Sequence, residues 1–166
     1  NLSRIMKSHD PDMIDFEDRR ITILPVGGST LNDWVKERYL KDFGRAEVYI
    51  YDRGSSEPSE NQNAVDEINQ RRDSAVAFLT DKREAENYLH PTAIEKGLDV
   101  KVEVTDTNKV PEEVAKAIHE SATDAEGAWD SLSEELKKKK ISKAKRRLNS
   151  DAAEYMTYEM LCEREA

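Results

Sequence analysis

The chain has 166 residues, enough for one domain with a real core, and charged and hydrophobic residues each make up 37% of it. No apolar run approaches the ~20 residues of a membrane span, so a transmembrane helix is excluded, and no signal-peptide pattern is present. A single cysteine, Cys162, excludes an internal disulfide and fits a reducing cytoplasm, the expected location.

The net charge of −9 is unevenly spread. Residues 137–147 carry eight positive charges and no negative one, which leaves −17 on the other 155 residues. An acidic body with one basic segment suggests a polyanion docking at a defined place. The bland alternative is a solvated helix face.

In chain order, Leu2, Ile5 and Met6 give helical spacing without a strand before them, as if the chain were cut from something longer. The first strand is expected at Ile21–Val26, running into Gly27 and Gly28, where the backbone can turn tightly. Thr30 and Asp33 open a helix with Leu31, Trp34, Val35, Tyr39 and Phe43 on one face, stopped by Gly44. The central strand, Ala46–Tyr51, is apolar on both faces, as in a parallel strand covered by helices, and ends in Asp52.

Ser59 and Gln62 have capping-box spacing before a short helix with Val65 and Ile68. Ala75–Thr80 is the third strand and ends in Asp81, which with Glu84 fits either a helix cap or an acidic site. Val100–Val104 alternates as a strand with one wet face. Pro111 with Glu112 and Glu113 opens a helix, and a last helical region starts near Gly127. Its apolar stripe slips by one position after Leu136, so a break or a change of face is expected near Lys140.

The first three strands start about 25 to 29 residues apart with helices between, the βαβ spacing of a parallel sheet with right-handed crossovers. The expected fold is an α/β, Rossmann-like parallel sheet of three to four strands flanked by helices. It forms one domain, with an α/β core over 1–106 and a mainly helical part over 107–166. Gly27, Gly28, Asp52 and Asp81 then share one rim, where such sheets bind ligands. Carboxylates gathered there suit a hard divalent cation that bridges phosphate oxygens. Asp52, Asp81, Glu84 and Glu86 are the candidates, although Glu84 and Glu86, two apart, cannot share one helix face.

Leu24–Ser29, Tyr49–Arg53, Lys82–Leu89 and Lys143–Asn149, taken in order, resemble the Toprim domain of OLD-family ATP-dependent endonucleases. The resemblance covers most of the chain and implies Mg²⁺- or Mn²⁺-dependent cleavage of DNA, with a role in antiviral defence for several such proteins. Asp52 matches the first aspartate, Gly27 and Gly28 the glycine turn, and Glu84 and Glu86 the later acidic positions, Glu86 the better of the two. Lys143 or Lys145 matches the late catalytic lysine.

The resemblance makes Lys137, Lys138, Lys139, Lys140, Lys143, Lys145, Arg146 and Arg147 the expected DNA contacts. It also implies an ATPase domain outside this chain and a homo-oligomeric full-length protein. Gly54 stands where a second aspartate is expected, and the first strand with its glutamate is expected upstream. No G-x-x-x-x-G-K-[ST] occurs, so no ATP site is expected. With Gly54 in the acidic pair, the alternative is a degenerate module that binds nucleic acid or partner subunits without cleaving. His9, His90 and His119 lack metal-ligand spacing, and Trp34 and Trp129 sit on apolar helix faces as core residues.

Overall fold

The computed structural model describes residues 2–24, 26, 28–39, 41–71, 73–123 and 127–165, with side chains for all of these except 2, 28–32 and 43. Gly27 therefore lies outside the described residues. The chain divides into two compact units, one made of Asn1–Asp15 and Ala85–Ala166, the other of Phe16–Glu84. This division does not coincide with the expected one at 106/107. No described helix is long and apolar enough to cross a membrane.

The unit Phe16–Glu84 is built on two strands, β1 (Glu47–Tyr51) and β2 (Ala75–Leu79), paired in parallel with Glu47 opposite Ala75 and Tyr51 opposite Leu79. Helix α2 (Gly28–Glu37) precedes them, and α3 (Gln62–Asn69) is the crossover. Tyr51, Ala77, Val65, Ile68 and Val35 form the core on one face of the sheet. The central strand was expected to be covered on both faces. Instead Val48 and Ile50, each 62% exposed, and Phe78, 54% exposed, lie on a second apolar face open to solvent.

Among the described residues there are two strands, not three to four. Residues 21–24 and 26 are irregular, with Ile21, Ile23 and Leu24 exposed. β-branched residues favour a strand only where a neighbour supplies a hydrogen-bonding ladder. On β2 the Asn69 side chain takes the backbone groups a further strand would use. It donates to the Ala77 carbonyl at 3.0 Å and accepts the Ala77 N–H at 2.8 Å. No capping box opens α3: the Gln62 amide turns to Asp66, and Ser59 donates to the Arg53 carbonyl at 2.6 Å.

The other unit is helical. It contains α1 (Leu2–His9), α4 (Pro91–Leu98), α5 (Val110–Ser121), α6 (Glu134–Arg147) and α7 (Tyr158–Glu165). Its core runs through Ile94, Val110, Val114, Ala144, Leu148 and Leu161. Residues 100–104 alternate in burial as expected, with Val100 and Val104 inside, but pair with no described strand. Ser133 caps α6 by accepting the Leu136 N–H at 3.3 Å. The helix then runs unbroken through Lys140, so of the break or change of face expected there the break does not occur. A π-helical turn, Leu148–Ala152, follows directly.

Candidate functional site

The strongest concentration of chemistry lies inside the helical unit, around Glu86. A short 3₁₀ turn, Ala85–Tyr88, carries it, and Glu86 is only 1% exposed. The next residue fixes the turn. Asn87, fully buried, donates through Nδ2 to the carbonyls of Thr105 at 2.7 Å and Asn108 at 2.9 Å, and its own carbonyl accepts from Arg164 at 2.8 Å.

A buried carboxylate is costly unless it is paired and hydrogen-bonded. Both compensations come from the end of α6. Asn149 Nδ2 donates to Oε1 of Glu86 at 2.7 Å, and Lys145 Nζ lies 3.1 Å from Oε2. Oε2 is buried and accepts no directed hydrogen bond, so the ammonium meets it as a charge pair, off the angle of a hydrogen bond. The Lys145 side chain is 43% exposed, so this pair has one buried and one wet member.

Lys145 and Asn149 are four residues apart, on one flank of the helix end. Asn149 falls in the π turn, a rare element that recurs at functional sites. The turn packs backbone to backbone on α4: a Cβ on Gly97 would lie 2.7 Å from the Ala152 Cα and from the Asp151 carbonyl. Beside it the Asp151 carboxyl is held below its usual range by the Ser150 hydroxyl and by Arg147.

The other candidates are placed differently. Asp52 follows β1 directly, is exposed, and accepts the Asn61 side chain on its carbonyl at 2.9 Å. Glu84, half-buried, lies in the run of bends over 81–84. No helix starts at Asp81, so its cap role falls away. Gly28 is the first residue of α2. Asp52 and Glu84 therefore belong to one compact unit, and Glu86 and Lys145 to the other.

Gly54 has φ +74°, in the left-handed region, and its N–H donates to the Arg83 carbonyl at 2.9 Å. The second expected acid is thus replaced where the backbone favours glycine.

Helix α6 separates the two lysines offered for catalysis. Lys143 is not brought to Glu86. With Lys140 and Arg147 it lines a groove of about 380 Å³ against Ile118 and His119 of α5. Lys137 pairs with Glu134 at 3.4 Å and Arg147 with Asp151 at 3.0 Å. Lys138, Lys139, Lys143 and Arg146 are exposed.

No three His, Cys, Asp or Glu side chains among the described residues are grouped to hold a metal ion. At Glu86 the donor set is one carboxylate, already faced by an ammonium, which does not make a divalent-cation site by itself. Asn149 and Asn87 were not singled out from the sequence, although the spacing of Lys145 and Asn149 on a helix was a readable signal. No protein-family model, curated protein or solved structure matches this chain.

Proposed function

We propose that this chain is a Toprim-like module of a metal-dependent endonuclease acting on DNA phosphodiesters, with Glu86 as its cation-facing acid and Lys145 as its lysine. One observation carries the reading. Glu86, 1% exposed, is met at 3.1 Å by Lys145, and these are two of the residues that the resemblance offers for the metal and for catalysis. A carboxylate is kept inside a protein with a compensating cation only at a cost, so a role for it beyond packing is the economical reading.

Mg²⁺ or Mn²⁺, an ATPase domain and further carboxylates, Asp52 among them, belong to the working protein in this reading. Among the described residues the donors around Glu86 do not complete a metal site. What the chain's own residues supply is a fixed acid, an ammonium able to sit beside developing negative charge, and a basic helix for the phosphate backbone.

The test is nicking of supercoiled plasmid DNA by the full-length protein with Mg²⁺ or Mn²⁺. Glu86→Gln is expected to lower the rate at least ~100-fold while the protein melts normally, the scale on which single electrostatic groups act in catalysis. Parent-rate cleavage by that variant overturns the reading.

A second reading is favoured by Gly54 and by the ammonium already set against Glu86: a module that holds DNA or partner subunits without cutting. It predicts DNA retention that is indifferent to chelator and no nicking with either metal.

A further inference from the structure

We propose that the groove between α5 and α6 is the docking site of an acidic amphipathic helix from a partner protein. The groove shares no residue with the Glu86 site, so neither cleavage nor a metal enters.

The two helices contribute one face each. Ala115 of α5 and Ala144 of α6, both buried, bring them together at the bottom. Ile118, Leu132 and Leu136 line the floor beside them. Leu136, 43% exposed, and Ala122, also exposed, carry that floor out to solvent. His119 is buried and donates through Nε2 to the Gly127 carbonyl at 3.1 Å, so it supplies wall and not a binding charge. A contiguous apolar strip open to water and rimmed by polar groups marks an interaction site.

The rim carries one sign. Lys140, Lys143 and Arg147 stand three and four residues apart on α6, hence on one face. Among the described residues no Asp or Glu lines the groove. Arg147 is answered by Asp151 at 3.0 Å, but Lys140 and Lys143 make no ion pair with a described residue. From Leu136 to Arg147 the strip runs about 16 Å, the length of three helical turns.

Floor and rim together select the occupant. A phosphate backbone would satisfy the lysines but set hydrated charge against Leu132 and Leu136, whereas nucleic-acid interfaces are polar and strongly charged. A small amphiphile needs a cavity that encloses most of it, and this groove of about 380 Å³ lies open along Leu136 and Ala122. A helix laid in the trough meets both demands. Apolar side chains at i, i+4 and i+7 cover the floor, and carboxylates beside them reach Lys140 and Lys143.

The probe is a fluorescein-labelled synthetic helix of about 12 residues, with leucine at i, i+4 and i+7 and glutamate at the flanking positions. Its binding to the 166-residue chain is read by fluorescence polarisation. It is expected to bind at least ~10-fold more tightly than a scrambled peptide of the same composition. Lys140→Glu with Lys143→Glu should weaken it at least ~10-fold, since like charges then face each other. The patterned peptide with lysine in place of glutamate, but not its scrambled form, should recover binding to that double variant, which a misfolded chain could not do. Equal binding of the scrambled peptide, or a double variant that binds as the parent does, overturns the proposal.

Other occupants are seen in the same variant. Loss of duplex DNA with peptide binding unchanged assigns the groove to nucleic acid and overturns the helix site. Self-association of the parent in analytical ultracentrifugation, abolished by Lys140→Glu with Lys143→Glu, assigns it to a second copy and overturns it equally. If the double variant does not fold, the unmodified chain decides. The peptide should then shift the NMR methyl signals of Ile118, Leu132 and Leu136, and unmoved signals overturn the site.

Discussion

Asn149 holds Glu86 from the same helix end that carries Lys145, with its amide 2.7 Å from Oε1 of the buried carboxylate. This amide is the directed hydrogen bond that keeps Glu86 in place. Its removal should be felt as the loss of a bond to a charged group, about 1.5–3 kcal/mol for Asn149→Ala. Asn149→Asp should cost more, because it sets a second carboxylate against the first. Urea unfolding of the three chains measures both. An Asn149→Ala variant as stable as the parent means that Glu86 is held by something else.

The π turn that places Asn149 depends on the missing side chain of Gly97. A methyl group there would meet the backbone of Asp151 and Ala152 at 2.7 to 2.8 Å, and backbone cannot swing aside as a side chain can. Gly97→Ala should gain up to ~1 kcal/mol in helix propensity. It should lose more to overpacking, which typically costs about 1–3 kcal/mol. The expected net result is a less stable protein, with the NMR signals of Asn149 and Glu86 shifted. A stabilised Gly97→Ala variant would show that α4 and the turn do not touch.

Alkaline pH probes the other unit. Burial, and then its hydrogen bond to Glu47, push the Tyr49 hydroxyl up to about 12. The folded state thus favours the protonated phenol relative to an unfolded chain titrating near the ordinary value of about 10. Stability from this group is complete below pH ~10 and is lost as pH rises toward ~12. Tyr49→Phe removes the titration. The stability difference between parent and variant should stay constant up to pH ~10 and then fall in the parent's disfavour. A constant difference up to pH ~12 would place the Tyr49 hydroxyl in ordinary solvent.

How far the sequence carried depends on what each element needs. β1 and β2 were legible because their β-branched and aromatic residues find each other in register. Ile21–Val26 has the same composition, but a strand is a property of a pair, and Asn69 occupies the Ala77 groups where a neighbour could add. The one-position slip after Leu136 is real, and of the two outcomes expected from it, a break or a change of face, the helix takes the change of face. Leu136 is 43% exposed and the Lys137 side chain only 19%, so the buried face moves by one residue within a continuous helix.

At the site, Glu86 and Lys145 could be picked by residue type and resemblance. Their meeting at 3.1 Å is set by the packing of the 3₁₀ turn against the end of α6, which no local pattern encodes. The four-residue spacing of Lys145 and Asn149 was readable, but it does not say which acid the Asn149 amide meets.

The basic segment separates by face, and that makes its role measurable. Lys145 is committed to Glu86, Arg147 to Asp151 and Lys137 to Glu134. Lys140 is half-buried against the α5 groove. Lys139 and Arg146, both exposed, stand two helical turns apart on the outer line of α6, about 10 Å at 1.5 Å per residue. If this line tracks a phosphate backbone, DNA affinity should fall with salt at a log–log slope of about −0.9 per neutralised phosphate. Lys139→Ala with Arg146→Ala should flatten the slope by up to about two phosphates. It should change stability by no more than ~0.5 kcal/mol, as surface substitutions do. Lys145→Ala should differ in kind: it leaves Glu86 buried without its cation, so stability should drop by about 3–5 kcal/mol. Filter binding of duplex DNA between 50 and 200 mM salt, run beside urea melts, separates the two effects. An unchanged slope in the Lys139/Arg146 double variant would mean that the outer face of α6 is a solvated surface and that DNA, where bound, is held elsewhere.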